Sequence, residues 1–290
     1  MDTERTYGEI ATQARKALQN VDRVPGARKP DPILTADNIR REFGGIVAVD
    51  VDHFEVQKGS ITALIGPNGA GKTTFFNLLT GFDQPNSGQW NFNGKEMNGV
   101  ASHRTAALGM VRTFQLTKSL TKLSVIENMR LGATDQKGEK WWNGLFAAVW
   151  KGQEAEITQR ADELLSRFKM DHMRDEYAGS LSGGQRKLLE MARALMTNPT
   201  LVMLDEPMAG VNPALKQSLN QHIRGLRDDG MTVLFVEHDM DMVHDISDWV
   251  IVMAEGRIIA EGTPDDISSN PAVIDAYLGT RQGQSLLEGE

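Results

Sequence analysis

Gly66, Gly71, Lys72 and Thr73 occupy the fixed positions of G-x-x-x-x-G-K-T, within Gly66-Pro67-Asn68-Gly69-Ala70-Gly71-Lys72-Thr73-Thr74. Glycines at these spacings let the backbone wrap a polyphosphate with its N–H groups turned inward, and a helix starting there adds positive potential. In such a P-loop, Lys72 reaches the β- and γ-phosphates and the Thr73 hydroxyl holds Mg²⁺. A second group is Asp205-Glu206, directly after the apolar run Leu201-Val202-Met203-Leu204. Asp205 is suited to support the metal, directly or through water, and Glu206 to polarise an attacking water as general base. In isolation an acidic pair at a strand end is more often a helix cap; beside a P-loop the catalytic reading is favoured. His238 is a candidate hydrogen-bond donor to the γ-phosphate, and Gln115 a candidate to sense Mg²⁺ or orient water.

These groups need a scaffold that brings them to one rim. Ile61 to Ile65, Leu201 to Leu204 and Thr232 to Val236 are short apolar runs separated by helical patterns. This predicts a largely parallel sheet covered on both faces, with ligands at the carboxyl ends of its strands. The P-loop, Asp205-Glu206 and His238 each follow such a run. Ahead of them, three short strands are expected, over Ile33–Ala36, Ile46–Val49 and Phe54–Val56, with a Gly44-Gly45 turn. Phe43, just before that turn, is a candidate for stacking on a nucleobase. Gln89–Phe92 reads as a strand and Val250–Met253 with Arg257–Ala260 as a hairpin. Leu123–Met129, Glu154–Phe168, Arg186–Met196 and Leu215–Arg227 read as helical. Residues 1–32 read as an extension: an amphipathic helix through Tyr7, Ile10, Ala14, Leu18 and Val21, then a Pro/Gly/basic linker.

The chain has 31 basic and 39 acidic residues, a net charge of −8, which argues against nucleic acid as the main partner. Without cysteine, disulfide and thiol chemistry are excluded. No apolar run approaches a membrane span, so any membrane role is expected to come through a partner.

With these motifs in place, the sequence resembles the nucleotide-binding subunit of an ATP-binding-cassette transporter. Leu181-Ser182-Gly183-Gly184-Gln185 matches that superfamily's signature motif. Gln115 matches its Q-loop, Asp205 its Walker B, Glu206 its catalytic glutamate, His238 its switch histidine, and Phe43 its adenine-stacking aromatic. The resemblance implies an α/β fold: a P-loop NTPase (RecA-like) core with an antiparallel β subdomain and an α-helical subdomain. It implies ATP and Mg²⁺ as cofactors, and a head-to-tail pair of cassettes. Ser182, Gly183, Gly184 and Gln185 of one cassette would then cover the nucleotide on the P-loop of the other. It also implies transmembrane permease subunits, an extracytoplasmic solute-binding protein met indirectly, and a position at the cytoplasmic face of the membrane.

Arg112-Thr113-Phe114-Gln115, the bulky insert after Val125-Ile126-Glu127-Asn128, Ala209-Gly210-Val211-Asn212-Pro213 and Ala276-Tyr277-Leu278-Gly279 resemble subunits of branched-chain amino acid importers. Close relatives of that group serve urea or short amides. Where the superfamily commonly has Ser-Ala-Leu-Asp, this chain has Ala209-Gly210-Val211-Asn212, leaving the part played by Asn212 open. The expected organisation is an extension over 1–32, a cassette over 33–280 with a helical subdomain inserted at about 116–180, and a polar tail over 281–290. Trp141, Trp142, Phe146 and Trp150 form an insert expected on the membrane-facing side of that subdomain. The insert argues against a lipid or lipopolysaccharide exporter. The lack of a second cassette or coiled-coil insert argues against a soluble ATPase acting on ribosomes or DNA.

Overall fold

Side chains alternate sides along a strand, so a strand buried on both faces must be apolar at every position. The computed structural model describes residues 7–113, 121–133 and 147–278. In it β3 (Ile61–Ile65), β7 (Leu201–Asp205), β8 (Thr232–Val236) and β9 (Trp249–Ala254) are such strands apart from Thr62, Thr232 and the terminal Asp205. They join β6 (Met110–Arg112) and β10 (Arg257–Gly262) in a sheet of order β10-β9-β3-β8-β7-β6, parallel except for the β9–β10 hairpin. Ile61, Ala63, Ile65, Val202, Leu204, Val233 and Phe235 face one hydrophobic core. Leu64, Met203, Leu234, Val236, Ile251 and Met253 face the other.

The first core is completed by α4 (Val125–Leu131), α5 (Ala147–Arg167), α6 (Gly183–Ala194) and α7 (Pro213–Asp228), through residues such as Val125, Leu164, Leu189 and Ile223. The second is completed by α2 (Lys72–Leu79) and by a separate antiparallel sheet of order β2-β1-β4-β5. There β1 (Pro32–Phe43) and β2 (Ile46–Gln57) form one long hairpin, with β4 (Ser87–Phe92) and β5 (Lys95–Glu96) beyond β1. The three short strands expected here are thus two long ones. Charged Asp37, Arg40 and Asp50 interrupt the apolar pattern, but the ladder runs through them, because these positions need not be buried to be paired.

The amino-terminal segment is less linker-like than its composition suggests. Helix α1 (Tyr7–Gln19) buries Ala11, Ala14 and Leu18, and Val21 and Ala27 are buried beyond it. Lys29, read as part of a basic linker, lies fully inside the protein and pairs with buried Glu261 of β10. Composition cannot distinguish a solvated lysine from one with a partner 232 positions away. The Trp141, Trp142, Phe146 and Trp150 side chains and the polar tail lie outside the described residues.

Candidate functional site

Strand order builds the site. β8 lies between β3 and β7, so the loop carrying His238 emerges between the P-loop and Asp205-Glu206. The loop after β3 runs into α2 through Gly66 at φ 149° and Gly71 at φ 95°. A Cβ at Gly66 would fall 2.0 Å from the Met253 carbonyl oxygen, and one at Gly71 2.3 Å from that of Ala48. Both positions exclude side chains, and the bare loop has the form a polyphosphate needs. The first-turn amides of α2, at Lys72, Thr73 and Thr74, lack acceptors within their own helix and are free to meet phosphate oxygens.

Lys72 folds back over the loop, its Nζ donating to the carbonyls of Gly66 at 2.6 Å and Pro67 at 2.9 Å. Burial pulls its pKa down, against the opposing pull of the Glu206 carboxylate. Lysine and glutamate thus already share a local field. Tyr277 is a neighbour that the sequence reading used only as a family marker. Burial pushes its phenol up, while the backbone N–H of Gly66 draws it down.

Glu206 adopts φ 45°, a left-handed conformation that costs a non-glycine residue about 1–3 kcal/mol. Its N–H donates to the Val236 carbonyl at 3.0 Å, and its carbonyl accepts from Lys187 of α6 at 2.9 Å. Its half-exposed carboxylate lies 4.0 Å from Nδ1 of His238. Buried Glu237, which sequence reasoning passed over, locks the two loops together. Its Oε1 accepts from Met208 N at 2.8 Å, and its Oε2 accepts from His238 N at 3.0 Å. The signal was present as a charged residue directly after five buried ones, but its distant partner, Met208, comes from the loop after another strand. Asp205 is held by Arg112 and lies on the same rim.

Phe43 is 49% exposed at the β1–β2 turn, so it is not core, and the Arg41 guanidinium lies 4.4 Å from its ring centroid. Further along the same hairpin, Ala48 touches the P-loop at Gly71. Ser182 caps α6 reciprocally with Gln185: Ser182 N donates to Gln185 Oε1 at 2.8 Å, and Gln185 N to Ser182 Oγ at 3.3 Å. Exposed Gly183 leaves that end open, whereas buried Gly184 has no room for a side chain because Leu215 of α7 packs on it. Asn212 caps α7, accepting from Leu215 N at 3.0 Å. Gln115 lies outside the described residues. Among the described residues no group of three His, Asp or Glu has metal-holding geometry. The Thr73 hydroxyl and the Asp205 carboxylate are hard oxygen donors of the kind that fit Mg²⁺ beside nucleotide phosphates.

Glu190 of α6 is another buried carboxyl, pushed up to about 7 by loss of water despite Lys187 and Arg193. From its ordinary 4.5 up to that value, the native state holds a proton that the unfolded chain has released, so stability falls as pH rises through this window. Glu190→Gln is expected to flatten the fall and to add up to about 3 kcal/mol at pH 8. Urea unfolding of both proteins between pH 5 and pH 8 checks this, and parallel curves would refute it.

The fold and this rim define a P-loop nucleotide hydrolase. The ABC transporter family model matches residues 49–209, over half the chain, and the model for branched-chain amino acid ATP-binding cassette transporters matches residues 257–282. The chain is 42% identical over 252 residues to the probable branched-chain amino acid transport ATP-binding protein LivG of Archaeoglobus fulgidus, covering 87% of this chain and 97% of that one. It is 40% identical to the high-affinity branched-chain amino acid transport ATP-binding protein BraF of Pseudomonas aeruginosa, covering 86% and 98%. A solved ATP-binding cassette of an ABC transporter in its ADP conformation superposes with a TM-score of 0.75 at 38% identity, covering 86% of this chain and 99% of that one. The chain belongs to the ABC transporter family. It is an ATP-hydrolysing subunit that powers transport through separate membrane permease subunits. Among the described residues no helix is long and apolar enough to cross a membrane.

Proposed function

We propose that this subunit energises import of branched-chain amino acids or a related small amide, from a peripheral position at the cytoplasmic face of the membrane. The amino-acid transport relatives support the substrate class, as does the match over residues 257–282. The single observation that carries the mechanism is the convergence of P-loop, Glu206 and His238 at the carboxyl ends of β3, β7 and β8. Gly66 to Thr74 wrap the phosphates of ATP, Lys72 neutralises them, and Phe43 stacks on the base. Thr73, Asp205 and Gln115 would hold Mg²⁺. Bound there, the metal offsets charge on the β- and γ-phosphates. Glu206 takes the proton of the attacking water, and His238 donates to the γ-phosphate.

The signature residues Ser182, Gly183, Gly184 and Gln185 serve a second cassette, a different chain paired head to tail. Their open helix end, with side-chain hydrogen bonds spent on each other, supports this. An extracytoplasmic binding protein delivers solute without touching this chain. We assign residues 1–32 to an extension, 33–280 to the cassette with its helical subdomain at about 116–180, and 281–290 to a tail.

Copurification from membranes, with partners identified by mass, followed by reconstitution in vesicles, tests the proposal. The expected result is two permeases, a second cassette and ATP-dependent leucine uptake. ATPase activity coupled to a solute of another class would overturn the substrate assignment.

A further inference from the structure

Arg112 ends β6, three residues before Gln115, and its side chain is 8% exposed. Its Nη2 donates to Asp205 Oδ2 at 2.5 Å, and its Nη1 to Asn77 Oδ1 of α2 at 2.6 Å. The guanidinium carbon stands 5.1 Å from the ring centroid of Phe76, also on α2. A planar fork held by two acceptors and a ring face has little freedom to leave. The backbone continues the tie, with Thr113 N donating to the Met203 carbonyl at 2.9 Å, two residues before Asp205.

We propose that Arg112 is a positioning residue for the magnesium site, setting the spacing between Asp205 and Thr73. Thr73 lies in the first turn of α2, Asn77 one turn further along it, and Asp205 ends β7. The chain Asn77–Arg112–Asp205 is thus a rigid brace between the two elements that must approach the same ion. One carboxylate oxygen of Asp205 is fixed by the guanidinium, which orients the group and leaves its second oxygen for the metal or its water. The inference rests on the assignment of Thr73 and Asp205 to Mg²⁺.

The test is binding of a fluorescent N-methylanthraniloyl ADP to the full-length chain, in EDTA and across a Mg²⁺ titration. Mn²⁺ paramagnetic resonance serves as a second reading of the metal. In Arg112→Met, affinity in EDTA should match the parent, whereas the Mg²⁺ needed for half-maximal effect should rise about tenfold, as for loss of a charge-assisted hydrogen bond. The bound Mn²⁺ signal should weaken in step. Arg112→Lys should recover part of the loss, and Asn77→Ala should shift the metal requirement in the same direction by less. A folded Arg112→Met protein with the parent's metal dependence overturns the proposal. If that variant does not fold, an unshifted Asn77→Ala protein does so. Asp205→Asn is the control: if it leaves the metal dependence unchanged, the assignment of the site fails, independently of the brace.

Discussion

Replacing Glu206 with glutamine is expected to lower ATP hydrolysis roughly 10²–10⁴-fold while leaving MgATP bound, the usual worth of a general base. Glutamine keeps the size and hydrogen bonding of the side chain but cannot take a proton. The backbone that carries it is fixed independently, by the Val236 carbonyl and by Lys187, so the φ 45° turn should survive the change. Lys72 and Thr73 remain to hold the nucleotide, and the signature helix of the partner cassette would grip an uncleaved γ-phosphate. The variant should therefore accumulate as an ATP-dependent closed pair of cassettes, visible by gel filtration. Lys72→Ala should behave oppositely and bind ATP weakly, since the phosphates lose their cation. Full ATPase activity in Glu206→Gln would sink the assignment and move attention to His238, 4.0 Å away.

Lys29→Met is expected to cost about 3–5 kcal/mol of stability, the range for leaving one member of a buried ion pair uncompensated. Both side chains are 1% exposed. Glu261 would keep the hydrogen bonds from Trp249 Nε1 at 2.8 Å and from Ala27 N, but lose its only nearby cation among the described residues. Burial lowers the Lys29 pKa and Glu261 raises it, so the pair is a balance between lost water and mutual attraction. A fall in the urea midpoint at unchanged nucleotide affinity would confirm a purely structural role, and an unchanged midpoint would refute it. Deleting residues 2–28 spares Lys29 but removes the burial of α1. That deletion should lower stability while leaving ATP binding intact, because the segment precedes every nucleotide-binding motif and its buried Ala11, Ala14, Leu18 and Val21 serve packing. A large loss of affinity would mean that the extension reaches the site.

The local chemistry was legible because it is written in contiguous residues. The P-loop, the acidic pair after Leu204 and the signature Ser182-Gly183-Gly184-Gln185 are each short runs whose backbone demands can be read from glycine spacing and strand-end position. The parallel sheet was legible for a related reason, since apolar residues at successive positions require cover on both faces. The tertiary structure alone decided which distant groups meet. Arg112 against Asp205 spans 93 positions, Glu237 against Met208 spans 29, and Lys29 against Glu261 spans 232. Their residue types are those of ordinary surface charges. Whether a charge stays in water or closes a pair inside the protein depends on which strands become neighbours, and chain order does not state that. The sequence by itself determined what this protein can do to a nucleotide. The packing of β3, β8 and β7 side by side decided which side chains hold those groups in place.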